Sequence, residues 1–378
     1  MLRLDGHRCF YGVLIREHRL FQKGEHMRRL VTLFLVLVLF CSLSGMVSAG
    51  DGLFPVEDRN KKWGYIDGSG KVVIDRQYDS AREFSEGLAA VRKGDLWGYI
   101  DRTGKVVINF TFQNAEKFSE GLAVAGRKER MYTGYIDKTG RYAIEPKYES
   151  CLDFSEGLAA VREYTGLKWG YIDKSGNYVV PPQFKMGIAM PFRNGRASVE
   201  VDGKWGYIDT KGKWAVEPQF FEALDFSEGL AAVQEARPPK SWKSDKKPTG
   251  GKWGFVDPAG VFVIKPSFDG AFGFSEGLAA VKVGDRWGYI DKKGEVAIVP
   301  RFANAMEFSE GVAGVIIQAP QYKLEFGYID KSGKYIIKPV NRFNVFGFSN
   351  GLALVITTDD KKIYIDKTGK VVYKPAEK

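Results

Sequence analysis

Short apolar runs separated by turn residues recur along residues 50–378. Each period contains a Leu-Ala-Ala-Val run, a Trp-Gly-Tyr-Ile run and a third run rich in valine and isoleucine, all typical of strands. An Asp-x-x-Gly turn joins the second run to the third; its aspartate can bind backbone amides, and its glycine can adopt a left-handed conformation. The pattern therefore predicts three β-strands per period, with a hairpin between the second and the third.

Two sequence anchors mark the period. A W-G-aromatic-I-D core occurs nine times, and its degenerate copies begin at Thr133, Phe326 and Lys362. A second anchor, F-S-E-G-L-A-A-V or a variant of it, occurs eight times, and Asp51-Gly52-Leu53 supplies a ninth, partial copy. The complete cores begin at Trp63, Trp97, Trp169, Trp205, Trp253 and Trp287, and the second anchors begin at Phe84, Phe118, Phe154, Phe192, Phe226, Phe274, Phe308 and Phe348.

The repeat predicts an all-β protein in which residues 50–378 form a tandem array of nine short, three-stranded β-meander units. Each unit is stabilised by stacking on its neighbours. Nine units exceed the typical four to eight blades of a propeller, and each unit is short for a blade. We therefore expect an open, solenoid-like array, with a closed propeller-like ring as the alternative.

A leader precedes the repeats. Met27-Arg28-Arg29 is followed by an apolar run, Leu30–Leu43, and then by Val47-Ser48-Ala49, which is the pattern of a secretory signal peptide. We expect residues 27–49 to be this signal, with cleavage near Ala49 and a periplasmic, cell-surface or secreted mature protein. Residues 1–26 are an over-extended start or a disordered leader, so either Met1 or Met27 is the true start. If the signal peptide is not cleaved, it would be the part of the protein that contacts the membrane.

The composition argues against most catalysis. The chain has 56 basic and 46 acidic residues. Its three histidines all precede residue 50, so the repeats contain no histidine. Two of its three cysteines also precede residue 50, so Cys151 is the one cysteine of the repeats. Histidine-dependent hydrolases and zinc proteases need side chains that the repeats lack. We therefore predict no enzyme, no catalytic residues, no cofactor and no metal. The near-balanced charge of the repeats also argues against nucleic acid as a partner.

One loop differs from its counterparts. The length of the units varies in the link between the first and second strands, and the longest link, 234–251, is rich in proline, serine, lysine and glycine. Its basic residues surround a tryptophan, which suggests contact with an anionic partner, whereas the alternative is a solvated loop. The candidate partner-binding residues are Arg237, Lys240, Trp242, Lys243, Lys246 and Lys247.

Three repeated side chains have two interpretations each. The tryptophans are core residues or sugar-stacking platforms, and we favour the core. The aspartates cap turns or bind calcium, and their D-x-x-G spacing favours turns. The glutamates of F-S-E-G bond their own turn or act as glycosidase carboxylates; because a catalytic pair is needed only once, we favour the turn.

The repeated K-W-G-Y-I-D-K-x-G-K and F-S-E-G-L-A-A-V motifs resemble those of the bacterial WG-repeat family across essentially all of residues 50–378. The resemblance implies β structure and interaction roles, with no common catalytic activity. We therefore predict a non-catalytic binding or scaffold module for a protein or an envelope polysaccharide. The alternative is a glycan-binding or carbohydrate-active protein that uses surface aromatics and carboxylates.

Overall fold

Strands and turns make up the part of the chain that the computed structural model describes, which is residues 52–127, 132–166, 168–185, 189–237, 249–318, 324–340 and 344–375. These ranges contain no helix, and so none that is long and apolar enough to cross a membrane. The all-β prediction is confirmed.

The strands fall into four classes by their place in the repeat. The first strands are β1 (Leu53–Glu57), β5 (Leu88–Lys93), β8 (Leu122–Arg127), β11 (Leu158–Glu163), β14 (Arg196–Val201), β17 (Ala231–Arg237), β21 (Leu278–Val283), β25 (Val312–Gln318) and β29 (Leu352–Ile356). The second strands are β2 (Trp63–Asp67), β6 (Leu96–Asp101), β9 (Thr133–Ile136), β12 (Lys168–Asp173), β15 (Lys204–Asp209), β18 (Thr249–Val256), β22 (Arg286–Asp291), β26 (Leu324–Asp330) and β30 (Lys362–Asp366). The third strands are β3 (Val72–Tyr78), β7 (Val106–Ser119), β10 (Tyr142–Cys151), β13 (Tyr178–Lys185), β16 (Trp214–Ala223), β19 (Phe262–Phe268), β23 (Val296–Phe302), β27 (Tyr335–Val340) and β31 (Val371–Tyr373). Four short strands lie between units: β4 (Ser80–Ala81), β20 (Gly270–Ser275), β24 (Asn304–Ala305) and β28 (Asn344–Ser349).

The strands pair in chain order, each antiparallel to the next, in several sheets. We call the stretch that leads from a third strand through F-S-E-G to the next first strand the linking segment; the first of these is 79–87. A linking segment pairs with the first strand of the following unit, so that Ala81 lies opposite Val91 and the Arg82 amide donates to the Ala90 carbonyl at 3.0 Å. Backbone hydrogen bonds therefore join each such pair of units.

The glycine of each W-G pair lies where the second strand approaches the third. In β15 and β16, Trp205 pairs with Phe220 and Tyr207 with Val216, so the register shifts between the two pairs. This irregularity brings the Val216 carbonyl against Gly206. Pro218 lies within β16 at the same place, so the proline does not end the third strand but sits at the bulge, where a missing amide is tolerated.

A buried pair of aromatic residues, in most units a tyrosine and a phenylalanine, recurs in the core. Tyr207 is fully buried, its ring centroid lies 4.7 Å from that of Phe226, and its hydroxyl donates to the Leu224 carbonyl at 2.6 Å. The tryptophans are less buried than this pair. Trp169, Trp253 and Trp287 are buried, whereas Trp63, Trp97 and Trp205 are half-buried. The core interpretation of tryptophan is therefore confirmed for the first three.

The Asp-x-x-Gly turns form as the sequence predicts. The carboxylate of Asp101 accepts the amides of Thr103 at 2.9 Å and Lys105 at 3.1 Å. The Gly104 amide donates to the Asp101 carbonyl at 3.0 Å, and the φ of Gly104 is 85°. The same aspartate bonds occur in the turns that follow all nine second strands of the described residues. Turn capping therefore explains these aspartates.

The serine and glutamate of F-S-E-G bond the next unit, so the prediction that they bond their own turn is wrong. Glu86 has a φ of 52°, and this left-handed conformation aims its carboxylate along the array. The carboxylate accepts the Gly121 amide at 3.1 Å and pairs with Lys138 at 3.2 Å, while the Ser85 hydroxyl donates to the Phe118 carbonyl at 2.7 Å. The glutamates are thus connectors between units.

The first and last units are in contact, which the expectation of an open array does not predict. Phe54 and Val56 of β1 share a buried cluster with Tyr364 and Tyr373 of β30 and β31. The Tyr364 hydroxyl donates to the Pro55 carbonyl at 3.0 Å. An open array would keep its ends apart, whereas these contacts fit the alternative, a closed ring. The rotation between successive units decides between the two shapes, and the repeated sequence does not predict this rotation.

Candidate functional site

Most of the basic loop predicted as a partner site lies outside the described residues. Lys240, Trp242, Lys243, Lys246 and Lys247 lie outside the described residues. Arg237 ends β17, but its side chain also lies outside the described part of the chain. Contact of this loop with an anionic partner therefore stays a prediction.

The linking segments bring together charged side chains that are not part of the repeated motif. The residues just before F-S-E-G in the first three segments are Arg82 and Glu83, then Glu116 and Lys117, then Asp153. We call these five residues the charged cluster. Arg82 pairs with Glu116 at 2.7 Å, and Lys117 lies 3.9 Å from Asp153. Equivalent positions in successive units are therefore spatial neighbours.

A second group lies further along the array, where Asp225 and Glu307 stand just before F-S-E-G. Arg193 pairs with Asp225 at 3.3 Å, and the Ser198 hydroxyl donates to the other oxygen of Asp225 at 3.1 Å. The Gly273 amide donates to the carboxylate of Glu307, and Arg193 acts on that carboxylate electrostatically. Because the units repeat one arrangement, this acidic group lies on the same face of its units as the charged cluster.

A cavity of about 510 Å³ lies beside the charged cluster. All five cluster residues line it, and aromatic and aliphatic side chains of the first and last units form its other walls. A cavity of this size, with apolar walls and a few polar groups, is typical of a binding site. The other lining residues are Pro55, Val56, Glu57, Trp63, Ala81, Leu354, Lys362, Tyr364 and Tyr373.

Burial shifts the carboxylates of both groups toward their neutral forms. It raises the pKa of Glu116 and of Asp153, and the nearby Arg82 and Lys117 oppose the shift. Burial also raises the pKa of Asp225 against the opposing charge of Arg193, and it raises the pKa of Glu307 to about 7. Chemically, these side chains can offer hydrogen bonds and negative charge to a partner, and Glu307 can change its protonation near neutral pH.

We expect Glu307→Gln to stabilise the protein at pH 8 and to leave its stability unchanged at pH 4. The folded state holds the Glu307 proton up to about pH 7, whereas an unfolded glutamate loses it near pH 4.3. Native stability from this group is therefore lost as the pH rises from about 4 to about 7, and a neutral amide does not show that loss. A pKa raised from about 4.3 to about 7 corresponds to at most about 3–4 kcal/mol, so denaturant unfolding should give a gain of about 1–3 kcal/mol at pH 8.

A matched control for Glu307→Gln is Glu295→Gln, because Glu295 is exposed. It should change stability by less than about 0.5 kcal/mol at either pH. A Glu307→Gln variant that loses stability at pH 8 would contradict the raised pKa.

The sequence did contain a signal for these residues. The two positions before F-S-E-G hold Glu116 and Asp153 in some units but Met190 and Gly273 in others. The flanking repeat is nearly invariant, so the variation itself marks these positions. The repeated residues are structural, and the variable ones supply the charges of the two groups.

Comparisons with known proteins identify the repeat. The model of the family described as "WG containing repeat" matches residues 63–97, 97–125, 134–164, 169–205, 205–236, 253–287, 287–317 and 326–361. A comparison with curated protein sequences found no match.

Two solved structures show a distant likeness. BamB from Moraxella catarrhalis is 13% identical, with 82% of this chain and 95% of that chain covered and a TM-score of 0.38. Kluyveromyces lactis Hsv2 is 8% identical, with 74% and 90% covered and a TM-score of 0.36. At these scores the likeness does not bear on function. The family match spans well over half of the 378 residues, and the chain therefore belongs to the WG-containing repeat family.

Proposed function

We propose that this repeat-containing all-β protein is a non-catalytic binding module, with its units closed into a ring of nine, and that it binds a protein partner through the charged cluster and the adjoining cavity. The observation that carries the proposal is the gathering of non-repeated charged side chains on one face, against a cavity of about 510 Å³. Such a combination of apolar walls and oriented charges suits recognition of another molecule.

The repeated polar side chains support a structural use over a catalytic one. Glu276 accepts the Gly311 amide at 3.0 Å and pairs with Lys331 at 3.1 Å, as its counterparts do in other units. A glutamate held this way is already engaged by two partners. The repeated glutamates therefore serve to join neighbouring units.

The tryptophans give little support to the glycan-binding alternative. Arg82 lies over the Trp97 ring at 5.1 Å, Lys362 lies over the Trp63 ring at 4.9 Å, and Phe272 stacks on Trp287 at 4.9 Å. Sugar stacking requires an open aromatic face, and in each of these tryptophans a protein side chain already lies over one face of the ring. A protein partner is therefore the better proposal, and an envelope polysaccharide is the second.

The experiment is affinity capture from an envelope extract with the full chain, compared with the variant Glu83→Gln/Asp153→Asn. We expect the wild type to retain a defined protein and the variant to lose most of it, because neutral amides remove two charges of the cluster. Capture should weaken as salt rises, since exposed charges are screened. Glu295→Gln is the control for a remote charge.

Equal capture by the wild type and the double variant would overturn the proposed site. Saturable binding on a glycan array with no captured protein would favour the polysaccharide alternative. The proposal includes export, which N-terminal sequencing tests: the mature protein should begin near Gly50.

A further inference from the structure

The junction between the last and first units has no linking segment among the described residues. Every other first strand pairs with the linking segment before it as well as with a second strand, whereas β1 pairs with β2 alone in the described part of the chain. The aromatic packing differs too. Inside the array, the phenylalanine of each linking segment packs on the aromatic residue of a W-G motif, but Tyr364 packs on Phe54 of β1 at 5.4 Å. Phe54 stands where the other first strands have alanine, so it fills the place of the missing phenylalanine.

The cavity of about 510 Å³ lies where a linking segment of this junction would lie. Equivalent positions of successive linking segments are neighbours, as the ion pair of Arg82 with Glu116 shows. A further segment before the first one would therefore run beside Arg82 and Glu83. Both of these residues line the cavity, and so do Val56 and Glu57 at the edge of β1. We call the part of the cavity between these two pairs of residues the β1 slot.

The backbone at the β1 slot can bond an added strand in the register of a linking segment. Inside the array, the Arg82 amide donates to the Ala90 carbonyl at 3.0 Å, and the Arg82 carbonyl accepts the Tyr65 hydroxyl at 2.7 Å. The counterpart of Ala90 in β1 is Pro55, which keeps the carbonyl that this bond needs. The Pro55 carbonyl accepts the Tyr364 hydroxyl at 3.0 Å. An added strand would donate an amide to Pro55 and accept the Tyr364 hydroxyl, as the linking segment does inside the array.

The charges along the linking segments indicate which side chains the β1 slot would select. At the two positions before the phenylalanine the charge alternates from one segment to the next: Arg82 is followed by Glu116, and Glu83 is followed by Lys117 and then by Asp153. One step before these series, the alternation gives an acidic residue beside Arg82 and a basic residue beside Glu83. Glu83 is exposed on the cavity wall, where a basic side chain can reach it.

We propose that the β1 slot binds an extended segment of the protein partner by strand addition, with a small residue, an acidic residue and a basic residue in succession. The small residue would lie opposite Val56, because Ala81 lies opposite Val91, the counterpart of Val56, and this position holds alanine in six of the eight linking segments. The next two residues would lie beside Arg82 and Glu83. Main-chain bonds give such a complex its affinity, and the side chains give it specificity. This inference rests on the proposed function and specifies the chemistry of the partner.

The test uses a fluorescent peptide with blocked ends and the sequence Gln-Asn-Ala-Glu-Lys, which is that of residues 113–117 and has the small, acidic, basic order. We expect saturable binding to the full chain, measured by fluorescence anisotropy. Methylation of the amide nitrogen of the peptide's glutamate should weaken binding at least about tenfold, because it removes the bond to Pro55. Methylation of the lysine amide is the matched control. Pro191 stands at this position of another linking segment without an amide hydrogen, so the control should change binding by less than about twofold.

A charge exchange tests whether the peptide lies in the β1 slot. Glu83→Lys should weaken binding of the peptide about threefold or more, because an opposite charge becomes a like charge. A second peptide, with glutamate in place of the lysine, should bind this variant more tightly than it binds the wild type. Glu295→Lys, a charge reversal at another exposed glutamate, is the control and should leave the affinity of both peptides unchanged.

Absence of peptide binding would show that the β1 slot is closed or already filled by the chain itself, and would overturn the inference. An equal loss of affinity with both methylated peptides would also overturn it, because strand addition depends on one amide and not on the other. In either case the proposed function would stand if capture from the extract still depended on Glu83 and Asp153. Peptide binding with the expected pattern but without such capture would support the β1 slot and count against the proposed partner.

Discussion

Replacing Gly206 with alanine is expected to destabilise the protein by about 3 kcal/mol or more. A Cβ at this position would lie 2.6 Å from the Val216 carbonyl oxygen and 2.8 Å from the Pro218 nitrogen. Both atoms belong to backbone that the β15–β16 pairing fixes, so no flexible side chain can move aside. The strands must separate locally, and the bonds that hold the third strand weaken. Chemical denaturation monitored by tryptophan fluorescence measures the loss.

Gly68→Ala is the matched control for Gly206→Ala. Gly68 is exposed in the first Asp-x-x-Gly turn, and an added Cβ there would meet nothing within 4 Å. Its substitution should change stability by less than about 0.5 kcal/mol. If Gly206→Ala proved as harmless as Gly68→Ala, the close approach of the two strands would not exist.

The parts of the fold that depend on neighbouring residues could be predicted from the sequence. The turn of Asp101 and Gly104 needs only an acceptor side chain and a residue with positive φ, both of which stand in fixed places. The strands around it follow from short apolar runs bounded by such turns. Local chemistry repeated nine times therefore gave the units and their hairpins.

Contacts between distant residues could not be predicted in this way. The sequence shows that Glu86 precedes Gly87, but it does not show that the carboxylate reaches Gly121 of the next unit. Likewise, the sequence does not show that the Tyr364 hydroxyl of the last unit reaches the Pro55 carbonyl of the first. Phe54 stands where the other first strands have alanine, and this difference in the sequence marks an unusual junction. Its reason is seen only in the structure, where Phe54 packs on Tyr364 of the last unit.

Phe226→Ala is expected to cost about 3–5 kcal/mol, whereas Trp205→Ala in the same unit should cost only about 1–2 kcal/mol. The order follows from burial: Phe226 is 1% exposed and packs on the fully buried Tyr207, while Trp205 is half-buried beside the same cluster. Removing Phe226 leaves a cavity enclosed by the sheets, but solvent can fill the space left by Trp205. Parallel urea titrations, monitored by far-UV circular dichroism, measure both losses. A larger loss for Trp205→Ala would show that the repeated tryptophan, and not the tyrosine–phenylalanine pair, carries the stability of the unit.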